Sequence, residues 1–155
     1  YRKITSLNKM LITDFNIKNP KIIISGLNPH AGENGKIGNE EKKYINPIIK
    51  KLQINNINIK GPFSADTIFN KINISKFDCF VCIYHDQALI PFKLITEMSG
   101  VNFTGSLDII RTSPTHGTAY NLINIEDADN TSLINSFLLA DKIYKNRLRK
   151  KIVKT

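Results

Sequence analysis

Two histidines stand where chemistry is possible: His30 in GLNPHAGENGKIGNEE (26–41) and His85 in YHDQ (84–87). A neutral imidazole can hold a divalent cation, and it can move a proton near neutral pH. Each histidine follows an apolar run, KIIIS in the first case and FDCFVCIY in the second. Ligands of open α/β sheets gather beyond the carboxyl ends of the strands. The pair is therefore a candidate for one metal site or one acid–base site, while spacing alone leaves a structural or surface role open for each. The loop carrying His30 holds four glycines, a proline and three carboxylates. Glycine loses more backbone freedom on folding than any other residue. Such a loop makes sense where something approaches the backbone closely or a side chain must be aimed.

Cys79 and Cys82 form a C-x-x-C just ahead of His85, the spacing of half a zinc site or of a redox pair. The surrounding run is largely apolar and reads as a buried strand. Residues three apart in a strand point to opposite faces, so the two sulfurs would diverge. Buried free thiols acting as small hydrophobes are the expectation. Two thiols without a secretion signal fit a reducing cytoplasm.

Stepping along the chain, residues 1–15 carry Ile4, Leu7, Leu11, Ile12 and Phe15 at helical spacing. The run 21–26 reads as a buried strand. Residues 39–53 read as a helix capped by Asn39, which Pro47 should kink or break. A strand is expected at 57–62, a short helix at 64–72 capped by Ser64, a strand at 77–84 and a helix at 87–96. One or two strands fall in VNFTGSLDIIRTSP, and a final helix spans roughly 131–149, with Leu133, Phe137, Ala140, Tyr144 and Leu148 along one stripe. Strands alternating with helices predict an α/β sheet with helices on its faces.

The composition, 155 residues with 41% hydrophobic and 23% charged, suits one domain with a single core. No apolar run approaches the roughly 20 residues that cross a bilayer, and no signal peptide opens the chain. The chain lacks an initial methionine, which fits a piece of something longer. The net charge of +9 invites a nucleic-acid partner. Much of it sits in KIYKNRLRKKIVKT, where a helix end favours cations, and no interleaved aromatics accompany it. A solvated helix tail is the expectation; no nucleic acid and no membrane are expected as partners.

Four blocks, GLNPHAGENGKIGNEE, GPFSADTIF, YHDQALIPFK and VNFTGSLDIIRTSPTHGTA, resemble the 4-hydroxythreonine-4-phosphate dehydrogenases of vitamin B6 synthesis. They occur in the family's order and with its approximate spacing. The resemblance implies a three-layer fold like that of isocitrate and isopropylmalate dehydrogenases, with this chain as roughly its C-terminal half. It implies an NAD-dependent, divalent-metal-dependent (zinc, magnesium or cobalt) cytoplasmic homodimer, its active site at or near the subunit interface. On the matching positions, His30 and His85 become metal ligands, and Lys93, Asn102 and Arg111 become contacts to a phosphorylated small-molecule substrate. His116, Gly117 and Thr118 become cofactor contacts. After them the sequence reads NLINIEDADN, where the family has a glycine-containing stretch.

The implied reaction oxidises and decarboxylates 4-phosphooxy-L-threonine to 3-amino-2-oxopropyl phosphate. The family's third metal histidine lies in a half that this chain does not contain, so the isolated piece is expected to be inactive. The alternatives are a related four-carbon sugar-acid phosphate dehydrogenase and a non-catalytic domain that dimerises or binds phosphorylated ligands.

Overall fold

The computed structural model of the protein describes residues 1–115 and 129–152. Where the length suggests a single core, the chain divides into two compact units. The first is Tyr1–Ile12 with Ile17–Pro91, the second Thr13–Asn16 with Phe92–Thr155.

The first unit is built on a parallel sheet of order β2-β1-β3. Its centre is β1 (Ile22–Ser25), flanked by β2 (Ile59–Phe63) and β3 (Cys79–Val81). Ile22 pairs with Ile59 on one side and Cys79 on the other. Three consecutive β-branched residues suit a strand buried on both faces, and Ile22, Ile23 and Ile24 are buried. The other buried apolar side chains of this unit are Ile4 and Leu11 of α1 (Arg2–Thr13), Ile49 and Leu52 of α2 (Asn46–Ile54), and Ile57, Ile59 and Ile68. Each stabilises the unit by roughly 1.5–3 kcal/mol when fully removed from water.

The break expected at Pro47 is present. A single π-helical turn, Glu41–Ile45, precedes α2, and Pro47 sits at the start of that helix, where a missing N–H removes no bond. The residue that caps the π-helical turn is Glu40 rather than Asn39.

Two expectations need correction here. The helix predicted at 64–72 is a turn, and the helix begins later as α3 (Lys71–Lys76). Ser64 does not cap it, because its hydroxyl donates to the Asp66 carboxylate. The cap is Asn70, whose Oδ1 accepts from the Asn73 amide at 2.9 Å. The strand predicted at 77–84 shrinks to β3, an edge strand among the described residues, and Cys79 and Cys82 are half-buried rather than buried. An edge strand has a ladder neighbour on one side alone.

The second unit holds an antiparallel pair, β4 (Val101–Thr104) and β5 (Arg111–Pro114), with α5 (Thr131–Ile152) packed on both. Helix α4 (His85–Thr96) starts two residues before the expected 87, at His85 itself, and contains Pro91, where the first unit ends.

The apolar stripe of α5 is not its buried face. Leu133, Phe137, Tyr144 and Leu148 are exposed, whereas Ser132, Ser136, Ile143 and Asn146 are buried. The buried polar groups are satisfied, which is what lets a polar face turn inward. Ser132 donates to the Gly100 carbonyl and accepts from the Thr115 amide (3.1 Å). Asn146 donates to the Asp14 carbonyl (2.7 Å), and Arg147 grips the Asp14 carboxylate through Nε and Nη2, both at 2.9 Å. Among the described residues no helix is long and apolar enough to cross a membrane.

Candidate functional site

The loop after β1 explains its glycines. From His30 to Gly35 every residue has positive φ, with His30 at 52°, Ala31 at 51°, Gly32 at 80°, Glu33 at 40°, Asn34 at 57° and Gly35 at 94°. The segment is a left-handed turn, a conformation that costs residues with a Cβ about 1–2 kcal/mol each. Gly32 has a second reason to lack a side chain. A Cβ there would stand 2.7 Å from the Glu41 carboxylate.

Glu41 is the anchor of the loop. It is buried, and its Oε1 accepts from the backbone amides of Leu27 and Asn28, both at 2.8 Å. Its Oε2 accepts from Asn28 Nδ2 at 2.9 Å, and the same amide donates to Glu40 at 2.7 Å. Burial opposes ionisation of Glu41, but these donors outweigh it and hold the carboxyl below its usual range. The anionic clamp closes the neck of the loop and offsets part of its left-handed strain. Sequence reading placed Glu41 only among first-turn acids. Its role depends on partners fourteen residues away, which periodicity does not reveal.

His30 emerges from this turn exposed to solvent. The Asp66 carboxyl, in the turn after β2, is held low first by the Ser64 hydroxyl, with His30 a smaller contributor. His85 is also exposed, at the first residue of α4, and its Nδ1 lies 2.8 Å from Asp86 Oδ1. A carboxylate on one ring nitrogen leaves the other free for a cation, the usual arrangement of a metal-binding imidazole. Both histidines thus lie beyond the carboxyl ends of neighbouring parallel strands, as their positions in sequence suggest.

The donor type and the exposure of each imidazole suit a divalent cation. Among the described residues, no three His, Cys, Asp or Glu side chains gather into a metal-holding group. A complete coordination sphere would therefore need a donor beyond these.

Gln87, two residues past His85, was not singled out by sequence reading. Its side chain is buried and bonded through both its oxygen and its nitrogen: Oε1 accepts from Ser25 Oγ (2.8 Å) and the Ile83 amide (3.0 Å), and Nε2 donates to the Gly26 carbonyl (2.8 Å). The cysteines nearby are chemically quiet. Burial, with Cys82 and Asp78 adding to it, pushes the Cys79 thiol up to about 11, and burial raises Cys82 as well. Thiols protonated at neutral pH are poor ligands and poor nucleophiles.

The second unit carries the other expected contacts. In the ladder, Asn102 opposes Ser113 and Thr104 opposes Arg111. Directly opposed residues share a face and strand residues alternate, so Asn102, Thr104, Arg111 and Ser113 line one face. Asn102 and Arg111 are exposed there. Arg111 Nη1 donates to Thr104 Oγ1 at 2.8 Å, which steadies a guanidinium with further donors free to point outward. Phe103 occupies the opposite face, edge-on to Phe15 with ring centroids 5.7 Å apart.

Lys93 is exposed in the last turn of α4. Its neighbour Phe92 lies over Gly100, where a Cβ would come within 2.7 Å of the ring. That close approach fixes the end of α4 against the start of β4. His116, Gly117 and Thr118 lie outside the described residues.

Comparison with known proteins follows the same lines. The family model for pyridoxal phosphate biosynthetic protein PdxA matches residues 1–140. The 4-hydroxythreonine-4-phosphate dehydrogenase of Zymomonas mobilis is 48% identical over 134 residues, which are 86% of this chain and 40% of that protein. The Bradyrhizobium diazoefficiens enzyme of the same name is 47% identical over 129 residues, 83% of this chain and 37% of its own length. The crystal structure of the Klebsiella pneumoniae 4-hydroxythreonine-4-phosphate dehydrogenase superposes with a TM-score of 0.77 at 36% identity, over 90% of this chain and 42% of that one. The chain thus spans about two fifths of the length of these relatives.

Proposed function

The chain belongs to the family of pyridoxal phosphate biosynthetic protein PdxA, and from that membership we propose that it forms one wall of an NAD-dependent, divalent-metal-dependent dehydrogenase. The reaction is oxidation of the hydroxyl of 4-phosphooxy-L-threonine, with loss of carbon dioxide from the resulting β-keto acid to give 3-amino-2-oxopropyl phosphate. The observation that carries this reading is the pair of exposed imidazoles beyond the carboxyl ends of two neighbouring parallel strands, His85 with a carboxylate on its Nδ1. The chain is roughly the C-terminal half of a protein with the isocitrate-dehydrogenase-like three-layer fold, and it works in the cytoplasm as a homodimer with its site at or near the subunit interface.

His30 and His85 would hold the cation, with the donor missing from the described residues supplied elsewhere in the protein. When bound, a zinc, magnesium or cobalt ion supplies Lewis acidity at the substrate hydroxyl and accommodates charge on the forming ketone oxygen. Asp86 fixes the tautomer and tilt of the His85 ring. Arg111, steadied by Thr104, presents paired N–H donors that match a phosphate, which a lysine would meet only as a point charge. Lys93 adds positive charge for the same anionic substrate. Asn102 both donates and accepts, which orients polar substrate atoms. His116, Gly117 and Thr118 would meet the dinucleotide.

Hydride transfer needs nicotinamide and substrate held within near-attack distance, and small misplacements cost orders of magnitude in rate. With one wall alone, water fills the site and preorganisation is weak. The 155-residue chain should therefore produce no NADH from 4-phosphooxy-L-threonine with added zinc or magnesium, while the protein at its relatives' full length should. NADH absorbance of the two samples decides it. Turnover by the short chain alone would overturn the two-wall reading.

A further inference from the structure

We propose that Gln87 is a positioning residue for the histidine pair, its buried amide setting the spacing between the segment that leads to His30 and the segment that leads to His85. The proposal rests on His30 and His85 acting as metal ligands.

The β1–β3 ladder ends where Ile24 pairs with Val81, before either histidine is reached. Beyond that point the two segments separate, one entering the left-handed turn and the other entering α4. The Gln87 side chain bridges them there. It accepts from Ser25 and from the Ile83 amide and donates to the Gly26 carbonyl. Ser25 and Gly26 end the first segment, and Ile83 lies in the second. Gln87 itself sits in the first turn of α4, where helical side chains lean back toward the N-terminus.

The chemistry demands an amide. Two partners are donors and one is an acceptor, and a side-chain amide is the group that presents both kinds. A carboxylate would face the Gly26 carbonyl without a proton. A leucine would take their side-chain partner from the Ile83 amide and the Gly26 carbonyl and leave the Ser25 hydroxyl only the longer bond to the Val81 carbonyl (3.4 Å). Gln87 is 8% exposed and Ser25 is fully buried, so water cannot readily replace either. None of its three bonds involves either imidazole. Its effect on a cation therefore passes through ligand geometry, as outer groups of metal sites act.

The test uses the protein at its natural length, with zinc affinity measured by competition against a chromophoric chelator. Gln87→Leu should weaken zinc binding by about 10–100-fold, and Ser25→Ala, which removes one arm of the bridge, should weaken it by a smaller factor. Leu52→Ala, a truncation in the apolar core, should lower the melting temperature yet keep wild-type zinc affinity. Wild-type affinity in both Gln87→Leu and Ser25→Ala would overturn the proposal, as would an equal loss in Leu52→Ala. Should Gln87→Leu not fold, Ser25→Ala against Leu52→Ala decides by the same criterion. His85→Ala separates the premise from the proposal. Unchanged zinc affinity in that variant would remove the metal reading itself, whereas loss there with none in Ser25→Ala and Gln87→Leu would remove only the bridge.

Discussion

The histidine edge of the first unit and the open face of β4–β5 in the second present their exposed candidate side chains in different ways. On the edge, exposed imidazoles stand on backbone held from behind by buried polar groups, Glu41 under the His30 loop and Gln87 beside His85. On the face, Asn102 and Arg111 simply project from an antiparallel ladder, and Arg111 leans on Thr104. A cation demands fixed ligand distances, whereas a phosphate meets a forked guanidinium over a broader range of geometry. The first task needs a scaffold of nonlocal hydrogen bonds. The second needs little more than a strand of the right register.

Breaking the edge at its tips should have the largest effect. In the natural-length protein, His30→Ala or His85→Ala should reduce turnover by about a thousandfold or more, since a Lewis-acid cation is worth several kcal/mol to the transition state. Both rings are exposed, so unfolding free energy should change by less than about 0.5 kcal/mol. Near-normal turnover at saturating metal would dissolve the distinction between edge and face.

Breaking the face should act on substrate alone. Arg111→Lys keeps the charge and loses the fork, and KM for the phosphorylated substrate should rise about 10–100-fold. Zinc affinity measured on the same sample should not move. A parallel loss of metal would show that the two regions are not separable.

The scaffold of the edge can be probed by pH. The Glu41 carboxyl is held below its usual 4.5 in the folded chain. Its contribution is present above that value and is lost as the pH falls through and below it. Glu41→Gln should lower stability at pH 7 by about 1–3 kcal/mol, with a shallower decline below pH 4.5 than the parent protein. Urea unfolding across that range gives both numbers, and superimposable pH profiles would remove Glu41 from the scaffold.

The smallest effect belongs to the thiols. Replacing Cys79 and Cys82 by Ala should cost about 1–2 kcal/mol, because both side chains are half-buried. Metal content should stay constant. Thiol labelling of the parent at pH 7 should be slow, given a Cys79 thiol pushed up to about 11. A metal stoichiometry that fell by one would return the C-x-x-C to the list of ligands.

What the sequence made legible follows the range of the interaction involved. KIIIS announced β1 because three branched apolar residues in a row have few other uses. His30 and His85 were readable from their places after apolar runs, and the break at Pro47 from ring chemistry. The turn at 64–72 was missed because the choice between Ser64 and Asn70 as cap depends on where Asp66 sits. The buried face of α5 was inverted for a similar reason: Ser132 and Asn146 face inward to meet the Gly100 and Asp14 carbonyls, partners that no helical period encodes. Glu41 and Gln87 escaped for the same cause. Both act through bonds to residues distant in sequence.

The central position of β1 also dictates an order of events during synthesis. Ile22 finds its ladder neighbours in Ile59 and Cys79, so its second partner leaves the ribosome roughly sixty residues later, a delay of roughly 3–12 s at typical elongation rates. Throughout that interval the Ile22–Ile24 run has no completed sheet to enter, and a short β-branched segment without charge is the kind that pairs with copies of itself. The nascent chain must therefore rely on Lys21 beside the run, on chaperones, or on speed of emergence. Slowing translation between residues 25 and 79 should raise the aggregated fraction more than slowing it after residue 81.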